Sequence, residues 1–252
     1  MIRYIRLIQH LSNWWLYLAV KLGMVQEDPI TFKTRNRIIV EVPRRLLHEF
    51  KEIFMEGSYT RGLEHSLPDR PTIMDIGANA GFFTLFAAYR FPGAKIMAYE
   101  PIENNFKQLE RNAALNRDAR IRCFQKAVYG FSGQIELSFD PSDSFTTSAS
   151  VFGSSNSQIQ TIQVPCGTLQ EIFDENQIDR CDLLKMDCEG AEYEILCNCS
   201  AGVLHRIDQM AIEVHGGTRA NQNITALTDY FRSMDFNTRQ YASHMLWAWR
   251  KK

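Results

Sequence analysis

Residues 72–84 read T-I-M-D-I-G-A-N-A-G-F-F-T: an apolar run, an acid, two glycines four apart, then a second apolar run rich in aromatics. The first run predicts a buried strand over 72–76, and the second a buried helix over 82–91. Between them, Gly77 and Gly81 give a turn whose backbone can approach a ligand closely, because no Cβ intervenes. A strand, a tight glycine turn and a helix together form the nucleotide-binding unit of α/β proteins.

The spacing argues against a pyrophosphate. A dinucleotide loop reads G-x-G-x-x-G, whereas this one is G-x-x-x-G with Asn79 at its third place. An acid-first loop, with Asp75 ahead of Gly77, suits a cationic ligand head, and S-adenosylmethionine, with its sulfonium and amino groups, is such a ligand. The next strand, Lys95–Tyr99, ends in Glu100, roughly 20 residues past the loop, where an acid grips ribose hydroxyls. Pro101 then suits the first turn of a helix, so Glu100 is expected to cap that helix as well as to hold the ribose.

Two further strands end in acids or histidine. Cys181–Asp187 alternates so that Lys185 and Asp187 share a face, and E-G-A-E follows, with Gly190 permitting close backbone approach. Ile207–His215 places Glu213 and His215 on one face, just before Gly216-Gly217. Strand ends of this kind mark the ligand-facing edge of an α/β sheet.

Three blocks, D-I-G-A-N-A-G-F-F-T (75–84), Y-E-P-I-E-N-N-F-K-Q-L-E-R-N (99–112) and L-L-K-M-D-C-E-G-A-E (183–192), come in an order that resembles the FkbM family of S-adenosylmethionine-dependent methyltransferases. The resemblance spans about residues 50–216, judged by motif order. It implies a Rossmann-like class I methyltransferase fold, mostly parallel with an antiparallel last strand, and O-methylation of sugar or polyketide hydroxyls. On this reading Asp75, Gly77, Ala78, Asn79, Gly81, Glu100 and Pro101 bind the cofactor, with Asp75 near its amino group. Asp187, Glu189 and His215 face the acceptor, Asp187 or His215 serves as base, and Lys185 orients Asp187. Two other readings stand beside it: a nucleotide-fold binding or scaffold protein without turnover, and a dehydrogenase, which the glycine spacing disfavours.

The whole chain sets the remaining expectations. Its 252 residues suit one α/β domain with a small extension, divided as 1–30 and 31–252. A net charge of -1 with interspersed signs gives no basis for a nucleic-acid partner. The acceptor is expected to be a small molecule or glycan. The six cysteines contain no C-x-x-C pair, which fits reduced thiols in the cytoplasm. Asp187, Glu189, Glu213 and His215 together offer oxygen and imidazole ligands, but no compact ligand motif is present and no metal is expected.

At the start, Ile2, Ile5, Ile8, Leu11, Trp15, Leu18 and Leu22 recur at the period of one helix face, too short and polar to cross a bilayer. Such a helix packs on protein, forms a homodimer through residues 1–24, or lies peripherally on a membrane with Trp14, Trp15 and Tyr17 at the headgroups. Further strands are expected at Arg37–Val42, Ile121–Val128, Gln134–Phe139 and Ile159–Val164, and a helix at Pro43–Met55. The Ser- and Thr-rich stretch 140–157 is expected to be a long loop, and a helix and antiparallel hairpin close the chain after Asn223.

Overall fold

The computed structural model describes residues 2–140, 145, 160–217, 219, 221–241 and 244–251, and the expected 140–157 loop lies almost wholly outside them. In chain order the first elements are α1 (Ile2–His10), α2 (Trp15–Lys21), β1 (Ile30–Lys33), β2 (Ile39–Val42) and α3 (Leu47–Lys51). The nucleotide unit follows as β3 (Thr72–Ile76), α4 (Phe82–Arg90), β4 (Lys95–Tyr99), α5 (Glu103–Ala114) and β5 (Arg120–Phe124). Next come β6 (Ala127–Val128), β7 (Gly133–Phe139), β8 (Gln160–Gly167), α6 (Leu169–Glu175), β9 (Leu183–Met186), α7 (Glu192–Cys197) and α8 (Ala201–Leu204). The chain closes with β10 (Gln209–Glu213), α9 (Ile224–Ser233), β11 (Phe236–Tyr241) and β12 (Met245–Arg250).

The central sheet has the order β11-β12-β10-β9-β3-β4-β5. Strands β5, β4, β3, β9 and β10 run parallel, and β12 runs antiparallel between β10 and β11. The inner parallel strands are covered on both faces, and β9 is buried at all four positions, Lys185 included, whereas the edge strand β5 alternates arginine with apolar residues and stays partly exposed. The chain progresses outward through β4 on one side of β3 and through β9 on the other, so β3 and β9 flank the switch point where such sheets bind ligands. The Rossmann-like α/β expectation is met, antiparallel last strand included.

Several local expectations change. Ile121–Val128 is not one strand: β5 pairs with β4 in the central sheet, while β6 pairs with β8 in a separate three-stranded sheet, β6-β8-β7. The segment from Pro43 opens as a 3-10 turn, continues as α3, and widens into a π-helical turn, Glu52–Glu56, that stops at Gly57 in the left-handed region (φ 68). The single N-terminal helix is two. Ser12 and Asn13 divert the chain onto β1, where Asn13 accepts from Lys33 N at 2.8 Å and donates to Thr31 O at 3.1 Å. The break shifts the helical phase. Of the expected stripe only Leu11 is buried among the described side chains; Leu7, Leu11, Tyr17 and Val20 face a core shared with Phe82, Leu85 and Phe86 of α4.

Side-chain amides join this N-terminal layer to the sheet. The hairpin β1-β2 would leave one edge of β2 unpaired, but α5 and the turn after it lay two asparagines along that edge. Asn116 accepts from Ile39 N and donates to Ile39 O, both at 2.8 Å. Asn112, fully buried, accepts from Glu41 N at 2.8 Å and donates to Glu41 O at 3.1 Å and Ala80 O at 2.8 Å. Each amide stands in for one rung of a missing strand. Asn112→Ala leaves three backbone groups without this partner, and at about 1–3 kcal/mol per stranded group it is expected to cost at least about 3 kcal/mol of stability. Urea unfolding measures this; an unmoved midpoint would show that the edge needs no amide.

Candidate active site

The site lies at the carboxyl ends of β3, β4, β9 and β10. After β3 the chain turns through Gly77 (φ 72), Asn79 (φ 49) and Gly81 (φ 86). Gly77 N and Ala78 N both donate to Tyr99 O at 3.0 Å, pinning the loop to β4. A Cβ at Gly77 would stand 1.8 Å from the carbonyl oxygen of Asp187. This glycine therefore admits the neighbouring strand end, and a side chain there displaces Asp187 before it meets any ligand. Gly81 opens α4, and a Cβ there would meet Leu109 Cδ1 at 2.6 Å.

Glu100 is buried. Its carboxylate accepts from Asn79 N at 2.8 Å and Ile102 N at 3.0 Å, with Asn105 Nδ2 at 3.4 Å. Burial pushes its pKa up to about 7, while the backbone donors pull the other way. α5 starts at Glu103 with Ile102 as its N-cap, so Glu100 does not cap this helix as expected, and Pro101 precedes it. Both line a cavity of about 90 Å³ whose apolar wall is Val128, Ile135 and Leu137 of the small sheet.

A larger cavity, of about 430 Å³, adjoins it; Gly77, Asn79, Asp187 and Glu189 line both. Beneath it lies the buried Lys185 ammonium, which donates to Gly77 O at 2.6 Å and sits 3.2 Å from Asp75 Oδ1 and 3.8 Å from Asp187 Oδ2. Burial pulls its pKa down, but Asp75 and Asp187 outweigh this and the net shift is upward. Asp75, expected at the cofactor's amino group, is fully buried, accepts from Thr84 Oγ1 at 2.6 Å, and lines neither cavity. Gly81 lines neither as well, whereas Ala78 lines the larger.

Acids and a histidine converge above Lys185. His215 Nδ1 lies 3.0 Å from Glu192 Oε1, and its Nε2 lies 3.6 Å from Glu189 Oε2 and 3.9 Å from Asp187 Oδ1. Burial lowers the imidazole pKa, but the bond and charge of Glu192, with Glu189 and Asp187, raise it to about 9. Burial also lifts Glu189 to about 7 against the pull of His215. Glu189 is held left-handed (φ 51) ahead of Gly190 (φ 102), with its carboxylate beside the His215 ring.

Tyr59 escaped the sequence reading. Its hydroxyl lies 2.8 Å from Asp187 Oδ2 and 2.7 Å from Glu213 Oε2, its ring covers Lys185 Nζ at 5.1 Å, and Trp247 Nε1 donates to its carbonyl at 3.2 Å. One hydroxyl proton serves one of the two carboxylates at a time. Glu192 escaped too, although it closes the E-G-A-E block; an acid three residues after Glu189 at the start of a helix was the available signal.

A glycine-turn nucleotide unit, a carboxylate at the end of the second strand and an acid-rich cavity at the switch point define a class I methyltransferase fold. The profile of the methyltransferase FkbM domain matches residues 75–238. The chain belongs to the FkbM methyltransferase family, and its cofactor is S-adenosylmethionine. It is 30% identical to methyltransferase sdnD of Sordaria araneosa over 58% of this chain and 66% of that protein. It is 27% identical to 31-O-demethyl-FK506 methyltransferase FkbM of Streptomyces tacrolimicus over 71% of this chain and 78% of that one. The crystal structure of methyltransferase FkbM from Methylobacillus flagellatus superposes with a TM-score of 0.52 at 17% identity, covering 81% of this chain and 54% of that one. This chain thus spans about half of that solved chain and just under two thirds of sdnD.

Glu100 fits the cofactor as a buried carboxylate opening onto an apolar cavity. Were Glu100 to hold the ribose, its ionised form would accept from the hydroxyls, and affinity for S-adenosylhomocysteine is then expected to weaken as pH falls through about 7. Glu100→Ala should remove that pH dependence and bind roughly ten- to hundred-fold more weakly, as befits a charge-assisted contact. Calorimetry at several pH values decides, and wild-type affinity in the variant would move the cofactor elsewhere.

Donor atoms of Asp187, Glu189 and His215 all lie within 4.8 Å of one another, close enough for a shared ion. The raised imidazole pKa lets His215 supply the cation that these carboxylates require. Magnesium or manganese is therefore expected to leave the melting temperature unchanged after dialysis against a chelator. A rise on adding either would give these three residues an ion.

Proposed function

We propose that this chain methylates a hydroxyl oxygen of a sugar, glycolipid or natural product. The observation that carries the reading is the wall shared by the two cavities: Gly77, Asn79, Asp187 and Glu189 border both the pocket of Glu100 and the acid-lined space. The name of one relative, 31-O-demethyl-FK506 methyltransferase, speaks for an oxygen acceptor.

S-adenosylmethionine supplies a methyl group on a sulfonium, which an acceptor oxygen takes by in-line displacement as the carbon–sulfur pair returns to sulfur. Glu100 would hold the ribose, Val128, Ile135 and Leu137 would flank the base, and the 77–79 backbone would border the methionine end. The remaining work is to hold acceptor and methyl in line and to take up the hydroxyl proton. Asp187 is the first candidate base. It borders both cavities, and Tyr59 and Lys185 fix its Oδ2 side at 2.8 and 3.8 Å. His215, oriented by Glu192, is the second; with a pKa near 9 it would accept a proton only as pH rises toward that value.

Incubation with methyl-labelled cofactor and a panel of sugars, glycolipids and polyketides tests the reaction by mass analysis. Label in a methyl ether supports it. Label on nitrogen or carbon, or tight S-adenosylhomocysteine binding with no transfer to any acceptor, would overturn it. Asp187→Asn is expected to cut turnover roughly a hundred-fold or more with cofactor affinity preserved, and His215→Ala to cut it less. Wild-type rates in both variants would leave positioning without a general base as the better account.

A further inference from the structure

The N-terminal layer leaves an apolar surface on the outside. Leu7, Leu11, Tyr17 and Val20 turn toward the core, so the opposite sides of α1 and α2 face away from it. There Ile5 is 50% exposed, Ile8 41%, Trp15 57%, Leu18 37% and Leu22 74%. Among the described residues no helix is long and apolar enough to cross a membrane.

Charge distinguishes this surface from the rest of the chain. Residues 1–26 contain no Asp or Glu, and residues 1–48 carry eight Lys and Arg against three acids, whereas the whole chain has 28 against 29. The chain beyond residue 48 is therefore net acidic. Part of the basic charge stands directly beside the apolar residues. The Arg35 guanidinium donates to Ile8 O at 2.8 and 3.0 Å, Arg35 N to His10 O at 3.0 Å, and Ser12 N to Lys33 O at 2.8 Å. Lys21, Lys33, Arg35 and Arg37 are all exposed.

We propose that α1, α2 and the β1-β2 turn form a docking surface for a bilayer of anionic lipid. Exposed Ile and Leu side chains with a tryptophan enter the interface between headgroups and acyl chains, and the basic fringe meets the lipid phosphates. A second copy fits this surface less well. In a two-fold dimer the same patch meets itself, so both basic fringes would be brought together.

The test is co-sedimentation of the full chain with phosphatidylcholine vesicles and with vesicles of about three parts phosphatidylcholine to one of phosphatidylglycerol. Binding is expected to the anionic vesicles and to weaken with salt. Lys21→Gln and Lys33→Gln should each reduce affinity about five-fold. Trp15→Glu with Leu18→Glu should abolish it, while S-adenosylhomocysteine affinity, read by calorimetry, stays at the wild-type value and shows that the fold is intact. Absence of binding to either vesicle, equal binding to both, or a dimer in sedimentation velocity that the Trp15→Glu, Leu18→Glu variant dissolves would overturn the proposal.

Discussion

A buried ammonium holds the switch point together. Lys185 is 3% exposed and sits opposite Asp75 in the β3–β9 ladder, among Asp75, Asp187 and the Gly77 carbonyl, with the Tyr59 ring over it. Taking a lysine out of water costs several kcal/mol, recovered only if its surroundings are both negative and well placed. Here one carboxylate comes from β3 and one from the residue just past the end of β9, so the charge is compensated only while β3 and β9 keep this register. The same contact explains Gly77: the loop must start close enough for its carbonyl to reach Lys185, and at that distance the Asp187 carbonyl fills the place of a Cβ.

How legible this was depends on how local the signal is. The β3 loop, α4 and the acid ending β4 follow from periodicity and glycine spacing within about 30 residues, the size of one βαβ unit. Lys185 and Asp187 were readable as a same-face pair, because a strand fixes that geometry without help from elsewhere. Asp75 was misread for the same local reason: the pattern marks an acid beside the glycine turn, but only the neighbouring strand shows that Lys185 claims it. Tyr59 lies between Gly57 and Gly62 in a stretch without periodicity, and its partners are more than a hundred residues away. The N-terminal stripe failed because its period ran on through Ser12 and Asn13, where side chains that bond backbone can end a helix.

Strain and charge gather at the same loops. Asn79 and Glu189, both non-glycine and both left-handed, lie in the turns that follow β3 and β9, and both line the two cavities. Each conformation costs of order 1 kcal/mol and persists because its surroundings over-determine it. For Asn79 this includes its N–H on Glu100 and its side-chain oxygen on Ala80 N at 2.7 Å. For Glu189 it is the left-handed Gly190 that follows and the nearby His215. The two turns therefore aim one group each, a backbone donor toward the Glu100 carboxylate and a side-chain carboxylate toward the His215 imidazole.

The outer layer is coupled to the cavity by short steps. Glu52 and Glu56 of the π-helical turn line the larger cavity, and α1 grips that turn from behind: the Arg6 guanidinium donates to Glu56 O, and His10 Nδ1 lies 2.6 Å from Phe54 O. The ring of His10 also meets Phe86 of α4 edge-on at 5.5 Å. A π turn is a poor choice for a purely structural element, because its wider hydrogen-bond ring is seldom favoured over α geometry. Here it lets Phe54 and Met55 reach the core while Glu52 and Glu56 stay on the cavity wall. A rearrangement of α1 therefore has a direct route, through two backbone carbonyls, to the acidic wall of the larger cavity.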